Sequence, residues 1–236
     1  MNRSGALVDL LMRLPRVGLI SFHPPLLSLK KNISGKYMIE VELKFPVSSL
    51  NEIRHQLRLL GAISEGVSVQ TDEYFNDPKR NYAKLDLAVR IRQSDEKFWL
   101  TFKGPNLDPA AKIRKEIEMP LEDSVAAEQM QGVLAGMGLV SVAKVIKRRE
   151  EFIGRAELSS VHFCLDEVTE VGGFIELELV VQSQEDVEAA KFQLVALADQ
   201  LGLSGSTRIS YLEMLLKARE STSAVLPTGP RENQKE

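Results

Sequence analysis

The sequence contains very little cysteine and histidine, and both shortages limit the kinds of functional site that the protein can contain. Its single cysteine, Cys164, excludes an intramolecular disulfide and a cysteine-rich zinc site. Cys164 lies in the apolar run VHFCLDEV, which predicts a packed thiol. Only three histidines are present, and we assign none of them to catalysis.

The chain also lacks an excess of charge of one sign and a long hydrophobic run. Its net charge of −3 argues against a protein that coats nucleic acid through bulk charge, so we predict no nucleic-acid partner. No run of about 18 apolar residues is present, and therefore no membrane-spanning helix and no membrane partner are expected. The composition is 44% hydrophobic and 27% charged, which is typical of a soluble protein, and we predict a cytoplasmic location.

Both ends of the chain differ in composition from the middle. Residues 1–37 are basic and nearly free of acids, but they contain no clean signal-peptide core. The pair Pro24-Pro25 and weak amphipathicity also argue against an organelle-targeting segment. We predict that this leader is disordered, or that it lies upstream of a true start at Met38. The polar segment 220–236 contains two prolines and is predicted to be a disordered tail, which leaves 38–219 as the folded domain.

The middle of the chain is predicted to contain about eight strands and four helices, arranged as two similar halves. Predicted strands cover residues 39–45, 64–75, 87–93, 97–104, 112–120, 141–153, 157–167 and 173–181. Predicted helices cover residues 49–60, 123–136, 185–201 and 210–218. Short turns between long strands favour an antiparallel meander. Eight such strands can close around one small ligand. We therefore predict an α+β fold, an eight-stranded antiparallel β-barrel or tunnel with helices packed outside.

Charged side chains occupy one face of most of these strands. In IEVELKF, Glu40, Glu42 and Lys44 alternate with apolar residues, so the three charged groups share a face. The same alternation recurs along the chain. The bases on this face are Lys44, Arg90, Arg92, Lys103, Arg114, Lys147 and Arg149. The acids on this face are Glu40, Glu42, Glu116, Glu118, Asp166, Glu176 and Glu178.

This charged face has two interpretations. An ordinary antiparallel sheet would turn it towards water, but such a face usually mixes uncharged polar residues with the charges. If the sheet curls around the charges, their burial costs several kcal/mol per ion unless partners compensate. Arginines suit phosphate oxygens, and carboxylate pairs suit Mg²⁺ or Mn²⁺. A metal-bound polyphosphate would satisfy both kinds of group.

The ordered motifs resemble those of the CYTH superfamily, the triphosphate tunnel metalloenzymes. Its signature E-x-E-x-K reads EVELK here, from Glu40 to Lys44. The resemblance covers essentially residues 38–219 and continues through DEYFNDPKR, LAVRIR, WLTFKGP, RKEIE, KRR, LDEV, GFIELE and SYLEML. Within the superfamily, the run YFNDPKRNYA followed by VRIR and FKGP is most similar to the class IV adenylate cyclase branch.

The resemblance implies a triphosphate bound in the centre of a tunnel, and a role for each charged residue. Mg²⁺ or Mn²⁺ would be held by Glu40, Glu42, Glu176 and Glu178, with Asp166 nearby. The phosphates would be bound by Lys44, Arg90, Arg92, Lys103, Lys147 and Arg149. A third charged strand, which would pair with and tune these groups, contains Arg114, Glu116 and Glu118. Lys103 is also the candidate for assisting proton transfer, whereas Tyr74 and Tyr211 are expected to be packing residues.

Two reactions fit this expectation. In a cyclase, the ribose 3′-hydroxyl of ATP attacks the α-phosphorus and pyrophosphate leaves. In a triphosphatase, water attacks the terminal phosphorus of tripolyphosphate, thiamine triphosphate or a nucleoside triphosphate. We predict a class IV adenylate cyclase-like enzyme, with the triphosphatase as the alternative. A non-catalytic triphosphate-binding module is the other alternative function. A homodimer is possible, and the sequence leaves the oligomeric state open.

Overall fold

The computed structural model describes residues 39–106 and 112–225, and within them eight β-strands form a closed barrel. The strands are β1 (Ile39–Val47), β2 (Ile63–Asn76), β3 (Ala88–Ser94), β4 (Lys97–Asn106), β5 (Lys112–Leu121), β6 (Val140–Ile153), β7 (Val161–Val168) and β8 (Gly172–Val181). Their order around the barrel is β1-β5-β4-β3-β2-β6-β7-β8.

All neighbouring strands are antiparallel, including the pairs of β1 with β5 and β8 that close the barrel. The β1–β5 contact is short and runs from the pair Ile39–Lys115 to the pair Glu42–Lys112. The predicted α+β fold with an eight-stranded antiparallel barrel is confirmed. We call the end of the barrel at which β1, β2, β4 and β7 terminate the upper end, and the opposite end the lower end.

The described residues also form four α-helices. They are α1 (Leu50–Leu59), α2 (Ser124–Gly136), α3 (Val187–Gln200) and α4 (Tyr211–Val225). Ser49 caps α1, because its hydroxyl accepts from the Glu52 backbone N–H at 3.3 Å, which is one of the two hydrogen bonds of the predicted capping box. Asp123 caps α2 in the same way by accepting from the Ala126 N–H at 2.8 Å. None of the helices in the described ranges is long and apolar enough to cross a lipid bilayer.

The main hydrophobic core lies outside the barrel, between the strands and the helices. Val41 and Leu177 on the outer face of β1 and β8 pack with Leu57 of α1 and Leu194 of α3, and all four are almost completely buried. A separate cluster lies beneath α2. Because side chains alternate along a strand, this outward apolar face turns the charged face towards the lumen.

Helix α4 lies across part of the upper end. Tyr211 and Leu215 of α4 pack with a cluster that includes Val145 and Phe174. Val145 and Phe174 share the lumen-facing sides of β6 and β8 with the charged residues, so α4 contacts the inside of the barrel rather than its outer surface. The preceding segment is attached to β1 by a hydrogen bond from the Thr207 N–H to the Lys44 carbonyl, at 2.8 Å.

Two predicted boundaries differ from the structure by more than two residues. Strand β7 begins at Val161 rather than near residue 157, because Ala156–Leu158 forms a 3₁₀ turn. Gly154 permits this turn, since a Cβ at that position would lie 2.2 Å from the Leu158 carbonyl oxygen. The last helix continues to Val225, so the first residues of the predicted disordered tail are helical. The leader 1–37, Met38 and residues 226–236 lie outside the described residues.

Candidate active site

The lumen contains a charged cavity of about 220 Å³. All of the site residues predicted from the sequence line this cavity except Glu118 and Asp166. Most of the lining charges are nearly inaccessible to solvent; Lys44 and Lys147, for example, are each 2% exposed. The interpretation of the charged face as a solvated outer surface is therefore wrong.

Three carboxylates form a cluster on the β1–β8 side of the cavity. One oxygen from each of Glu40, Glu42 and Glu178 lies within 4.8 Å of the other two. Glu42 and Glu178 are directly opposite each other in the β1–β8 register. Carboxylates this close repel one another unless a cation or a proton intervenes, and oxygen donors are the ligands that Mg²⁺ and Mn²⁺ prefer. The donor set therefore fits the predicted divalent cation.

The other two predicted metal ligands, Glu176 and Asp166, lie outside this cluster and contact cations. Glu176 is paired with Arg149, and its Oε1 lies 3.9 Å from the Lys44 ammonium. Asp166 is fully buried and accepts hydrogen bonds from Lys147 at 3.1 Å and from Arg149 at 2.7 and 2.6 Å. This geometry places Asp166 behind the cavity wall, where it holds two phosphate-binding candidates in position.

Burial and pairing act against each other at Asp166 and Arg149. Burial raises the pKa of the Asp166 carboxyl, but Arg149 and Lys147 more than offset this and lower it below its ordinary value. Burial likewise lowers the pKa of the Arg149 guanidinium, whereas Asp166 and its neighbours raise it well above the usual value. Both groups are therefore held in their charged forms.

A second buried carboxylate, Asp72 of β2, was missed by the sequence analysis. It accepts hydrogen bonds from Arg92 at 2.6 and 2.7 Å and from Arg90 at 3.1 Å. Burial would raise the Asp72 pKa, but the two arginines lower it far below the usual range. The signal was available in the register, since Asp72 lies directly opposite Arg92, but that register is known only once β2 and β3 are paired.

The third charged strand forms contacts with its neighbours. The Lys103 ammonium lies 2.8 Å from Glu116, and Thr101 donates to Glu118 at 3.2 Å. Arg114 is paired with Asp86, which sequence reasoning did not identify. These contacts are of the kind that a tuning role for Arg114, Glu116 and Glu118 requires.

Tyr211 of α4 contacts the cations as well as the hydrophobic cluster. The Lys44 and Lys147 ammonium groups lie 4.2 and 5.3 Å from the centroid of its ring, and its hydroxyl donates to Asp166 at 2.9 Å. Burial, followed by nearby Glu176 and Asp166, raises the Tyr211 pKa well above its usual value. The expectation of a packing role was therefore incomplete.

The Lys147 ammonium, which lines the cavity, has a pKa below the ordinary lysine value. Burial and the neighbouring Arg149 lower it, and Asp166 offsets this only in part. Bound phosphate would supply the missing negative charge and would favour the protonated ammonium.

A family model of the CYTH domain matches residues 38–211. The chain belongs to the CYTH domain family. Its predicted resemblance to that family is thereby confirmed, over most of the chain and over every strand that contributes to the cavity.

Individual CYTH relatives support the same assignment. A Methanocaldococcus jannaschii protein, provisionally named an adenylate cyclase, is 32% identical over 179 residues, which cover 75% of this chain and 98% of the relative. The solved structure of a Pyrococcus horikoshii protein is also 32% identical, with a TM-score of 0.67 over 75% of this chain and 98% of the other.

A more distant solved structure shares the fold. It is a Hippeastrum protein, provisionally named an adenylyl cyclase and described as having a dominant triphosphatase activity. It is 19% identical, with a TM-score of 0.56 over 76% of this chain and 95% of the other.

Proposed function

We propose that the protein catalyses a metal-dependent reaction at phosphorus on a triphosphate substrate. The observation that carries this proposal is the convergence of seven lysines and arginines and a cluster of three carboxylates on one buried cavity. Buried charges of both signs are expensive to maintain unless a ligand uses them. A polyphosphate with a divalent cation uses both.

The chain's own residues would bind and align the phosphates. Arginine guanidinium groups form paired hydrogen bonds to phosphate oxygens, and Asp72 and Asp166 hold four of the cations in place before the substrate arrives. Such preorganised charge accounts for most of the catalysis in phosphoryl transfer. Mg²⁺ or Mn²⁺, when bound by Glu40, Glu42 and Glu178, would neutralise phosphate charge and stabilise the charge that develops at the reacting phosphorus.

Lys103 is the proposed assistant in proton transfer. It lines the cavity close to the upper end, and its ammonium is oriented by Glu116. Lys103→Arg keeps the positive charge but holds its proton far more tightly, so it should retain triphosphate binding and lose most of the turnover. If triphosphate affinity and turnover fell by the same factor, Lys103 would have a role in phosphate binding alone.

Between the two reactions, we propose adenylate cyclase first. The provisional name of the Methanocaldococcus relative, at 32% identity over nearly its whole length, favours it. In that reaction, the lysines and arginines would hold the β- and γ-phosphates while pyrophosphate leaves.

Triphosphatase activity is the second candidate. The activity described for the Hippeastrum protein, which shares the fold, motivates testing it. The same cations would then stabilise charge on the terminal phosphate during attack by water. The two reactions differ in which phosphorus lies at the reactive position.

The deciding experiment follows all products in parallel. The full chain is incubated with ATP and with tripolyphosphate, each in Mg²⁺ and in Mn²⁺, and cyclic AMP, pyrophosphate, ADP and orthophosphate are measured. Cyclic AMP with pyrophosphate supports the cyclase, and orthophosphate with ADP or pyrophosphate supports the triphosphatase.

Glu42→Gln is the matching metal-site variant. Loss of one ligand oxygen's charge should reduce turnover by roughly 10- to 100-fold or more. Glu128→Gln makes the same chemical change on the exposed surface of α2 and should leave turnover unchanged. Tight tripolyphosphate binding without turnover in either metal would instead support the non-catalytic module.

A further inference from the structure

One edge of β5 continues past the strand that pairs with it. On the β4 side, the pairing of β5 extends as far as Leu121. On the β1 side, the pairing within the described ranges ends at Lys115, which lies opposite Ile39, the first described residue of β1. Alternate residues of 116–121 therefore direct backbone N–H and C=O groups to an edge along which no described strand is paired.

The outer surface beside this edge is apolar and exposed. Ile117 and Met119 are 48% and 42% exposed, and Phe102, which lies opposite Ile117 on β4, is 36% exposed. Val41 on the outer face of β1 is completely buried instead. An exposed apolar edge of a sheet is a surface to which a further strand can add.

The chain that precedes Ile39 begins at this edge. The β1–β5 register advances residue by residue, with Ile39 opposite Lys115 and Glu40 opposite Arg114. Four more residues of β1 would span about 13 Å, the length of residues 116–119. Extended backwards, the register would place Met38 opposite Glu116, Tyr37 opposite Ile117, Lys36 opposite Glu118 and Gly35 opposite Met119.

The side chains that this register matches are complementary. Lys36 and Glu118 would share the lumen side, and Glu118 is half-buried and accepts a hydrogen bond from Thr101 at 3.2 Å. Tyr37 and Ile117 would share the outer side. Opposite charges and an aromatic residue beside a β-branched one are both favourable cross-strand pairs. A shift of one residue would turn Tyr37 towards the lumen and Lys36 towards the apolar outer surface.

Two further features favour the preceding segment of the chain as the occupant of this edge. Pro120 has no backbone N–H, so it limits strand addition to residues 116–119. Because Ile39 is already paired beside the edge, the residues before it are tethered next to their partners, whereas a second copy of the chain would have to associate from solution.

We propose that residues 35–38 extend β1 and pair with residues 116–119 of β5, which completes the junction between these strands at the lower end of the barrel. The junction is connected to the site, because Glu40 and Arg114 lie opposite each other in it and both line the cavity. The inference does not depend on which reaction the site catalyses. It gives the last residues of the predicted leader a place in the fold.

The test measures amide hydrogen exchange of residues 116–119 in the full chain without ligand. Lys36→Pro and Tyr37→Pro are made separately, because N–H groups alternate in direction along a strand and one of the two points towards β5. The variant that loses this hydrogen bond should exchange the β5 amides that face β1 about tenfold faster than the wild type. Ser28→Pro, outside the matched register, is the control and should leave their exchange unchanged.

Charge reversal tests the register. Lys36→Glu places two like charges opposite each other, so it should lower the melting temperature by about 1–4 °C. Combining Lys36→Glu with Glu118→Lys should recover most of that loss. Lys31→Glu makes the same change outside the matched residues and should have no effect. An equal loss in Lys31→Glu, or no recovery in the double variant, would overturn the pairing of Lys36 with Glu118.

Three exchange results would overturn the proposal. The first is equal exchange of residues 116–119 in the wild type and both proline variants. The second is fast exchange of these amides in the wild type, which would mean that the edge is unpaired in the isolated chain. The third is protection that falls on dilution, which would identify a second copy as the occupant.

Discussion

In each half of the barrel one buried carboxylate binds two cations, but the groups around that carboxylate differ. In the first half, Asp72 on β2 binds Arg90 and Arg92. In the second half, Asp166 on β7 binds Lys147 and Arg149. Each carboxylate is buried, and its pKa is lowered by its two cations.

The difference lies in what surrounds each carboxylate. The first half contains two arginines, which stay charged at any ordinary pH. The second half contains a lysine with a lowered pKa, a second contact of Arg149 with Glu176, and the Tyr211 hydroxyl from α4. The first half therefore provides a fixed positive surface, whereas the second half can respond to pH and is coupled to the C-terminal helix.

The largest expected effect comes from removing the charge of each carboxylate. Asp166→Asn should lower the free energy of unfolding by about 3–5 kcal/mol, because two buried cations lose their partner. Asp72→Asn should cost less, since Asp166 also accepts the Tyr211 hydrogen bond. Urea denaturation measures both, with the exposed Asp95→Asn as the control. A larger cost for Asp72→Asn would contradict the comparison.

Lowering the pH should destabilise the folded protein through the same two carboxylates, Asp72 and Asp166. Their folded pKa values lie below the unfolded value of about 3.9, so their stabilisation is present above that value and is lost as the pH falls towards the folded pKa. Each should contribute stability that is progressively lost as the pH falls from about 5 towards about 2. Unfolding free energies across this range should be flatter in Asp72→Asn and in Asp166→Asn than in the wild type. If the unfolding free energies of the variants and the wild type changed with pH in parallel, the pH dependence would not come from these carboxylates.

A smaller effect is expected from two tyrosines, Tyr211, which contacts Asp166, and Tyr74, which contacts Arg90. Tyr211→Phe should lower the unfolding free energy by about 1–2 kcal/mol through loss of the hydrogen bond to Asp166. Tyr74→Phe should cost less, because the Tyr74 hydroxyl is 3.5 Å from Arg90. Tyr211→Leu should additionally weaken tripolyphosphate binding several-fold, since the ring contacts with Lys44 and Lys147 are lost. Calorimetry and thermal unfolding separate the two effects, and equal tripolyphosphate affinities for Tyr211→Phe and Tyr211→Leu would exclude a role for the ring.

The smallest effect concerns pH and Lys147. Below its lowered pKa Lys147 is charged and binds phosphate, so tripolyphosphate affinity should fall by less than about tenfold as the pH rises through that value. Lys147→Arg should abolish this decline, because arginine stays protonated. The control is Lys144→Arg on the exposed side of β6. If tripolyphosphate affinity still fell with rising pH in Lys147→Arg, a group other than Lys147 would be responsible for the pH dependence.

The charged face of the strands was predictable because alternation along a strand is local. Glu40, Glu42 and Lys44 must share a face whenever residues 39–45 are extended. The motif order then predicted the barrel and most of the charged residues that line the cavity. The role of Asp72 was not predictable, since it depends on its register opposite Arg92, and the contact of Tyr211 with two lysines depends on how α4 lies across the upper end.

The sequence by itself determined which side chains face the same way, since that follows from the two-residue repeat of a strand. Only the tertiary structure decided which of them meet. Closing the barrel set the strand registers, and these brought Glu178 to Glu42 and buried Asp166 between two cations. The physical reason is that pairing across the barrel joins residues far apart in the chain, and no local pattern encodes their distance.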